Sequence, residues 1–265
     1  MFRIRIQNKK KCIWYCSAVV SFLLFLLLLG WTNHLANTQD AQQMAGRWSE
    51  KKDVAQISCF FSSKAEVTED TIQSFEYSLK NVLQEASITE TSENPSARLW
   101  VDAYSADGKI TLVNGIGGDF FMFHPLKLIT GAYFSGNDLM QDYCIIDQDA
   151  AWQLFGSNDV VGMTVYIGNV PHIVTGVVQR PDSRMDKAAG LNSAVVYVSY
   201  ETLSAYGTNN GINHYEIVMP NPVDEFAYGK VREGIGIDEK NVEIVENSRR
   251  YSLPNRIKTI LAFGT

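Results

Sequence analysis

The chain has 265 residues, 46% of them hydrophobic and 20% charged, with a formal net charge of −6. That balance suits a globular body of one large domain or two modest ones and excludes a disordered or low-complexity chain. The charge is segregated: Arg3, Arg5, Lys9, Lys10 and Lys11 precede position 32 with no acid among them, leaving 18 Lys and Arg against 29 Asp and Glu, a net −11, in the rest. A body that acidic is a poor partner for nucleic acid or an anionic bilayer.

In chain order, the basic segment 1–12 leads into Ile13–Gly30, "IWYCSAVVSFLLFLLLLG", 18 residues without a charge. At about 1.5 Å per residue, a helix of that length just crosses a hydrocarbon core about 30 Å thick. Trp14 and Tyr15 stand at one end and Trp31 at the other, so a membrane helix is expected over 13–31. Basic residues before it and Asp40 as the first acid after it predict a cytoplasmic N-terminus and an outer body. A cleaved signal peptide is the competing reading, but the apolar core is long for one and no A-x-A-like site follows. Residues 32–52, polar and without Pro, are expected to prolong the helix as a stalk, with Gly46 its weak point.

"VAQISCFF" (Val54–Phe61) reads as a buried strand. Thr68 offers a helix cap, followed by Glu69 and Asp70 in the first turn and by Ile72, Phe75, Leu79, Val82, Leu83 and Ala86 on one face. "ENPS" breaks that helix; "ARLWVDAYS" alternates, Asp107-Gly108 turns and "KITLVNG" returns, completing a β-α-β unit with a hairpin. "YCIIDQ" is a further strand, followed by a short helix capped by Asp147 or Asp149, with Ala150, Ala151, Leu154 and Phe155 inward and Gly156 ending it. "MTVYIGNVPHIVTGVVQ" is two strands about Gly168-Asn169, and "AVVYVS" is another. "NHYEIVM", the helix-like "PVDEFAYGKVREGI" and "KNVEIVE" form a second β-α-β unit. The tail, "NSRRYSLPNRIKTILAFGT", is basic and amphipathic: either a surface segment or a return to the bilayer with Arg249, Arg250, Arg256 and Lys258 near headgroups.

Reactive motifs are sparse. "LFGSNDVVGMT" (Leu154–Thr164) is not a phosphate-binding loop: five residues separate Gly156 from Gly162, and Met163 stands where the lysine belongs. It is expected to be a turn, and Gly162→Val to lower stability. His34, His124, His172 and His214 are scattered, none four residues from another, and neither H-E-x-x-H nor C-x-x-C occurs. Asp147-x-Asp149 begins like a calcium loop but lacks the glycine and the terminal glutamate, so a helix cap is the better reading. Asp102, Asp119, Glu216 and Asp224 are acids whose convergence only spatial distance decides. Trp48, Trp100 and Trp152 either stack on a ligand or pack in the core. Cys12 and Cys16 suit the membrane segment; Cys59 and Cys144 either pair outside the cell or remain two buried thiols, the apolar setting favouring the latter. No catalytic, cofactor-binding or metal-ligating residue is assigned.

One stretch resembles a known family. In "GDFFMFHPLKLITGAYFSGND", Phe120-Phe121, Pro125-Leu126, Leu128, Gly131 and Phe134 match "F…PL.L..GR.F". In the following segment Ala151, Leu154-Phe155-Gly156, Asp159-Val160-Val161-Gly162 and Val174-x-Gly176-Val177 match "A..LFG..D.VG…V.GV". Both are similar to the MacB-like periplasmic core domain of FtsX-type ABC transporter permeases. The sequence departs at Ala132 and Met163, where the family has Arg and Lys. The resemblance implies an α+β outer domain on an N-terminal transmembrane helix: a β-α-β subdomain of 53–115 plus 213–247, an inserted β-rich subdomain of 116–210, and a membrane-proximal segment, 248–265. It implies a bacterial cytoplasmic membrane and a non-enzymatic role without cofactors. The implied partners are an ABC-type ATP-binding subunit, a second permease subunit or homodimer, the lipid bilayer, and an outer peptide, lipoprotein or protein. A stand-alone anchored binding module is the alternative, and a surface hydrolase a more remote one.

Overall fold

The computed structural model describes residues 9–49, 53–86, 88, 98–108, 113–135, 138, 140–180, 194–205 and 211–263. The chain divides into two compact units, Met1–Gln39 with Arg249–Thr265, and Asp40–Ser248.

In the first unit, helix α1 (Lys9–Asn37) contains Lys11–Asn37, long and apolar enough to cross a membrane at a mean hydropathy of 2.5. Its large apolar side chains, Trp14, Phe22 and Leu27 among them, are exposed, which water disfavours and lipid does not. The last helix, Leu253–Phe263, belongs to the same unit, and Arg256 Nη2 donates to Asn33 Oδ1 at 3.0 Å. Its Leu253, Ile257 and Leu261 are exposed four residues apart, one apolar stripe.

Beyond α1 the expected stalk is not one helix. α1 ends at Asn37, a 3-10 turn covers Asp40–Gln42, and α2 is the short Met44–Trp48. Tertiary packing overrides helical propensity there: Met44 is buried, and its N–H donates to Gln56 Oε1 at 2.9 Å. Lys51, at the end of the expected stalk, lies outside the described residues.

The second unit is built on one sheet, ten strands among the described residues. They are β1 (Val54–Phe61), β2 (Val101–Asp107), β3 (Val113–Gly118), β4 (Leu128–Gly131), β5 (Tyr143–Asp147), β6 (Thr164–Ile167), β7 (Val170–Val178), β8 (Val196–Ser199), β9 (His214–Pro220) and β10 (Val242–Glu246). Their order is β10-β1-β9-β2-β3-β8-β5-β7-β4, with β6 paired to β7. Helix α3 (Glu69–Glu85) joins β1 to β2, α6 (Tyr200–Ala205) follows β8, and α7 (Phe226–Gly234) joins β9 to β10. The two β-α-β units interleave, because β9 lies between β1 and β2 and is antiparallel to both, a split arrangement. The other half of the sheet, from β8 to β4, joins this one through the parallel pair β3–β8, so a single sheet spans both expected subdomains. "ENPS" and residues 109–112 of the first hairpin lie outside the described residues.

Alternation along the strands makes two cores. Ala55, Ile57 and Cys59 of β1 and Tyr215, Ile217 and Met219 of β9 pack with Ile72, Phe75, Leu79 and Leu83 of α3. On the opposite face Val218, Val101 and Ala103 pack with Met44 of α2 and Phe120, Phe121 and Phe123 of α4 (Phe120–Phe123). Cys59 and Cys144 are free and buried, on β1 and β5 in opposite halves of the sheet.

Candidate functional site

The LFG…VG segment is local architecture. β5 ends at Asp147, which caps α5 (Gln148–Phe155) by accepting from Ala150 N at 2.7 Å. Gly156 closes α5 in the left-handed conformation (φ 69°), its N–H on Trp152 O at 3.0 Å. Gly162 (φ 85°) donates to Val174 O at 2.8 Å, and Val174 N returns a bond to Met163 O at 2.9 Å, which seats the turn against β7. Leu154, expected inward, is exposed, as are Trp152, Val161 and Met163. The hairpin β6–β7 turns on Gly168-Asn169 with both φ positive, 56° and 73°, the requirement of a type I′ turn.

The cation on Asp147 is a side chain. Arg180, just beyond β7, donates to Asp147 Oδ2 from Nε at 3.0 Å and Nη2 at 2.7 Å, and its Nη1 lies 2.9 Å from Asp149 Oδ2. Val195 N adds a 2.8 Å bond to the same Oδ2. The pair that opens like a calcium loop is thus a cap and an arginine clamp joining the ends of β5, β7 and β8.

Of the four acids, Asp102 and Asp119 are brought together, and Glu216 and Asp224 are not with them. Asp102 of β2 lies beside Glu76 of α3, and Asp119, 2.7 Å from Arg98, bears on Asp102. Burial, then the charge of Asp102, pushes Glu76 up to about 8; burial, then Asp119, pushes Asp102 up to about 6. Tyr215 OH donates to Glu76 Oε1 at 3.1 Å, and the Trp100 side chain bonds the same carboxyl. Asp224 lies in the chain between β9 and α7. A depression lined by Thr68, Glu69, Asp70, Tyr200 and Glu201 contains none of these four acids. Of the tryptophans, Trp48 packs on the second core with Arg98 over its ring, and Trp152 faces outward.

Glu216 forms the one polyvalent cluster among the described residues. β9 alternates, so His214 and Glu216 face the same side as Val218, while Tyr215 and Ile217 enter the other core. Their cross-strand neighbours are Phe60 and Ser58 on β1, and the His214 ring stacks on Phe60 with centroids 4.6 Å apart. His124 closes the C-terminus of α4, its N–H on Phe120 O at 2.8 Å and its ring 4.5 Å from that of Phe120. Arg47 of α2 donates from Nη2 to Met122 O at 2.7 Å and Phe123 O at 3.3 Å, holding that end of α4. His124 Nε2 then lies 2.7 Å from Glu216 Oε2, and His214 Nε2 3.9 Å from Oε1. Glu216 Oε1 also accepts from Ser58 Oγ at 2.8 Å and Gln56 Nε2 at 3.3 Å, and Asn247 Nδ2 supports Ser58 at 2.7 Å.

Burial alone would raise the Glu216 carboxyl; the close His124 imidazole, then the charge of His214 and the bond from Ser58, outweigh it, and the net direction is down. Burial lowers His214. The arrangement can hold a cation between two imidazoles and a carboxylate. A search for histidines four apart suits helices and misses it; H-x-E on a strand, at period two, is the local signal, and His124 has none.

A model of the MacB-like periplasmic core domain matches residues 19–244. The Macrolide export ATP-binding/permease protein MacB of Chromobacterium violaceum is 33% identical over 95 residues, 35% of this chain and 14% of that protein. Its counterpart in Shewanella sp. (strain W3-18-1) is 34% identical over 104 residues, 38% of this chain and 16% of that protein. The chain therefore matches only a small part of these relatives' length. The periplasmic region of MacB from Actinobacillus actinomycetemcomitans aligns with a TM-score of 0.47 at 16% identity, covering 83% of this chain and 97% of that one. The extracellular domain of the noncanonic ABC-type transporter YknZ from Gram-positive bacteria aligns at 0.44 and 19%, covering 72% and 99%. With a match that begins inside α1 and ends in the last strand of the sheet, the chain belongs to the MacB-like periplasmic core domain family.

Proposed function

We propose that this chain supplies the outer-face domain of an ABC-type permease of the MacB/FtsX kind, anchored by α1 with its N-terminus in the cytoplasm. In this reading a separate ATP-binding subunit hydrolyses nucleotide on the inner face, and α1 carries the resulting movement to the sheet. The domain does no chemistry of its own; it opens and closes on an outer peptide, lipoprotein or protein together with a second permease copy. The observation that carries the reading is the family match over 19–244, which runs from inside the apolar helix through the strands of the sheet. The basic N-terminal segment supports the orientation. Mechanical transmission requires a body that does not deform, and the clamp of Arg180 on Asp147 and Asp149 at the junction of three strands suits that role.

The test is co-purification. Full-length chain, cross-linked in its native membrane and extracted in mild detergent, should bring down an ATP-binding cassette protein and a second permease copy or subunit. Recovery of the chain without any ATP-binding protein would sink the proposal.

A further inference from the structure

We propose that His124, His214 and Glu216 bind one divalent transition-metal ion, zinc fitting best. The inference is independent of the transport reading. The three donor atoms lie within 4.8 Å of one another; His124 Nε2 is 2.7 Å from Glu216 Oε2, and His214 Nε2 is 3.9 Å from the other oxygen of that carboxylate, Oε1. Four-coordinate zinc bonds such atoms at about 2.0–2.1 Å, which sets neighbouring donors about 3.3 Å apart. The 2.7 Å contact falls short of that value and no pair in the set exceeds 4.8 Å, so side-chain shifts of about an ångström close the set.

The polar atoms that meet here are orphaned. His124 Nε2, His214 Nε2 and Glu216 Oε2 are buried without a hydrogen-bond partner and meet only through the 2.7 Å imidazole–carboxylate contact and the proximity of His214. The Glu216 side chain is 4% exposed, and a carboxylate oxygen that deep without a hydrogen bond is costly. A single cation satisfies all three atoms at once. The surroundings have the form of a ligand-orienting shell: Ser58 and Gln56 occupy Oε1 and leave Oε2 for the ion, while Phe120 and Phe60 pin the imidazole planes. Two imidazoles and one carboxylate select zinc, nickel or copper(II) over calcium or magnesium, which want oxygen alone. Three protein donors leave a fourth position for water or a donor from another molecule. The bound ion ties the end of α4 to β9 across the second core.

The test uses untagged full-length chain in detergent, stripped with a chelator and desalted. Zinc is titrated in competition with a chromophoric chelator, and cobalt(II) substitution reports coordination by its visible bands. Expected are one zinc per chain, the intense cobalt(II) spectrum of a four-coordinate site, and no competition from millimolar magnesium. His124→Ala, His214→Ala and Glu216→Gln should each weaken zinc binding about 10-fold or more, and His34→Ala should not. Substoichiometric zinc on the wild type, or unchanged affinity in a folded Glu216→Gln variant, overturns the proposal. Wild-type stoichiometry and the cobalt(II) spectrum decide the matter even where a variant fails to fold.

Discussion

Replacing Arg180 by leucine isolates the clamp at the strand junction. Asp147 is 2% exposed and has four donors: Ala150 N, Val195 N, and Arg180 Nε and Nη2. The substitution removes two of them and the neutralising charge and leaves the carboxylate buried. Breaking one side of a buried pair costs about 3–5 kcal/mol. The two backbone donors that remain, one of them a helix-cap bond, argue for the lower end, about 3 kcal/mol. For a domain of this size each kcal/mol moves Tm by about 2–4 °C, so a fall of about 6–12 °C is expected. Thermal unfolding of full-length chain in detergent, followed by tryptophan fluorescence, measures it. Asp149→Ala is the control: its side chain is 48% exposed, and loss of that ion pair should cost about 1 kcal/mol or less. An Arg180→Leu variant within about 2 °C of wild type, or one no worse than Asp149→Ala, would refute the reasoning.

Two further outcomes follow from the geometry. A Cβ on Gly131 (φ 81°) would stand 2.1 Å from Thr175 O and 2.8 Å from Gly176 Cα, both backbone; one on Gly162 (φ 85°) meets nothing within 4 Å. Gly131→Ala should therefore cost about 3 kcal/mol or more and Gly162→Ala only the left-handed strain of about 1–2 kcal/mol; equal losses of Tm would contradict this. Glu76 and Asp102 are raised from 4.5 and 3.8 to about 8 and about 6, so the native state keeps protons that the unfolded chain releases. Their contribution is complete below about pH 4 and is lost as pH rises through 6 and then 8. Relative to Glu76→Gln, the wild type should lose stability steadily from pH 5 to pH 8, and a difference that stays flat or grows would show the proton is not held.

Local periodicity determined a good deal by itself. The uncharged run predicts α1, the short apolar runs "VAQISCFF" and "NHYEIVM" predict β1 and β9, and Gly168-Asn169 predicts its hairpin, because each depends on neighbours in the chain. Linked LFG and VG motifs sufficed for the family. Tertiary structure alone decided the rest. The interleaving of β9 between β1 and β2 depends on pairing between strands that are locally alike. The stalk breaks because Met44 gains more in the core than helix propagation offers. Arg180 reaches Asp147, Glu76 reaches Asp102, and His124 reaches Glu216 only after the sheet has formed. Local pattern reports which way a side chain faces; what it meets there is set by contacts far apart in the chain.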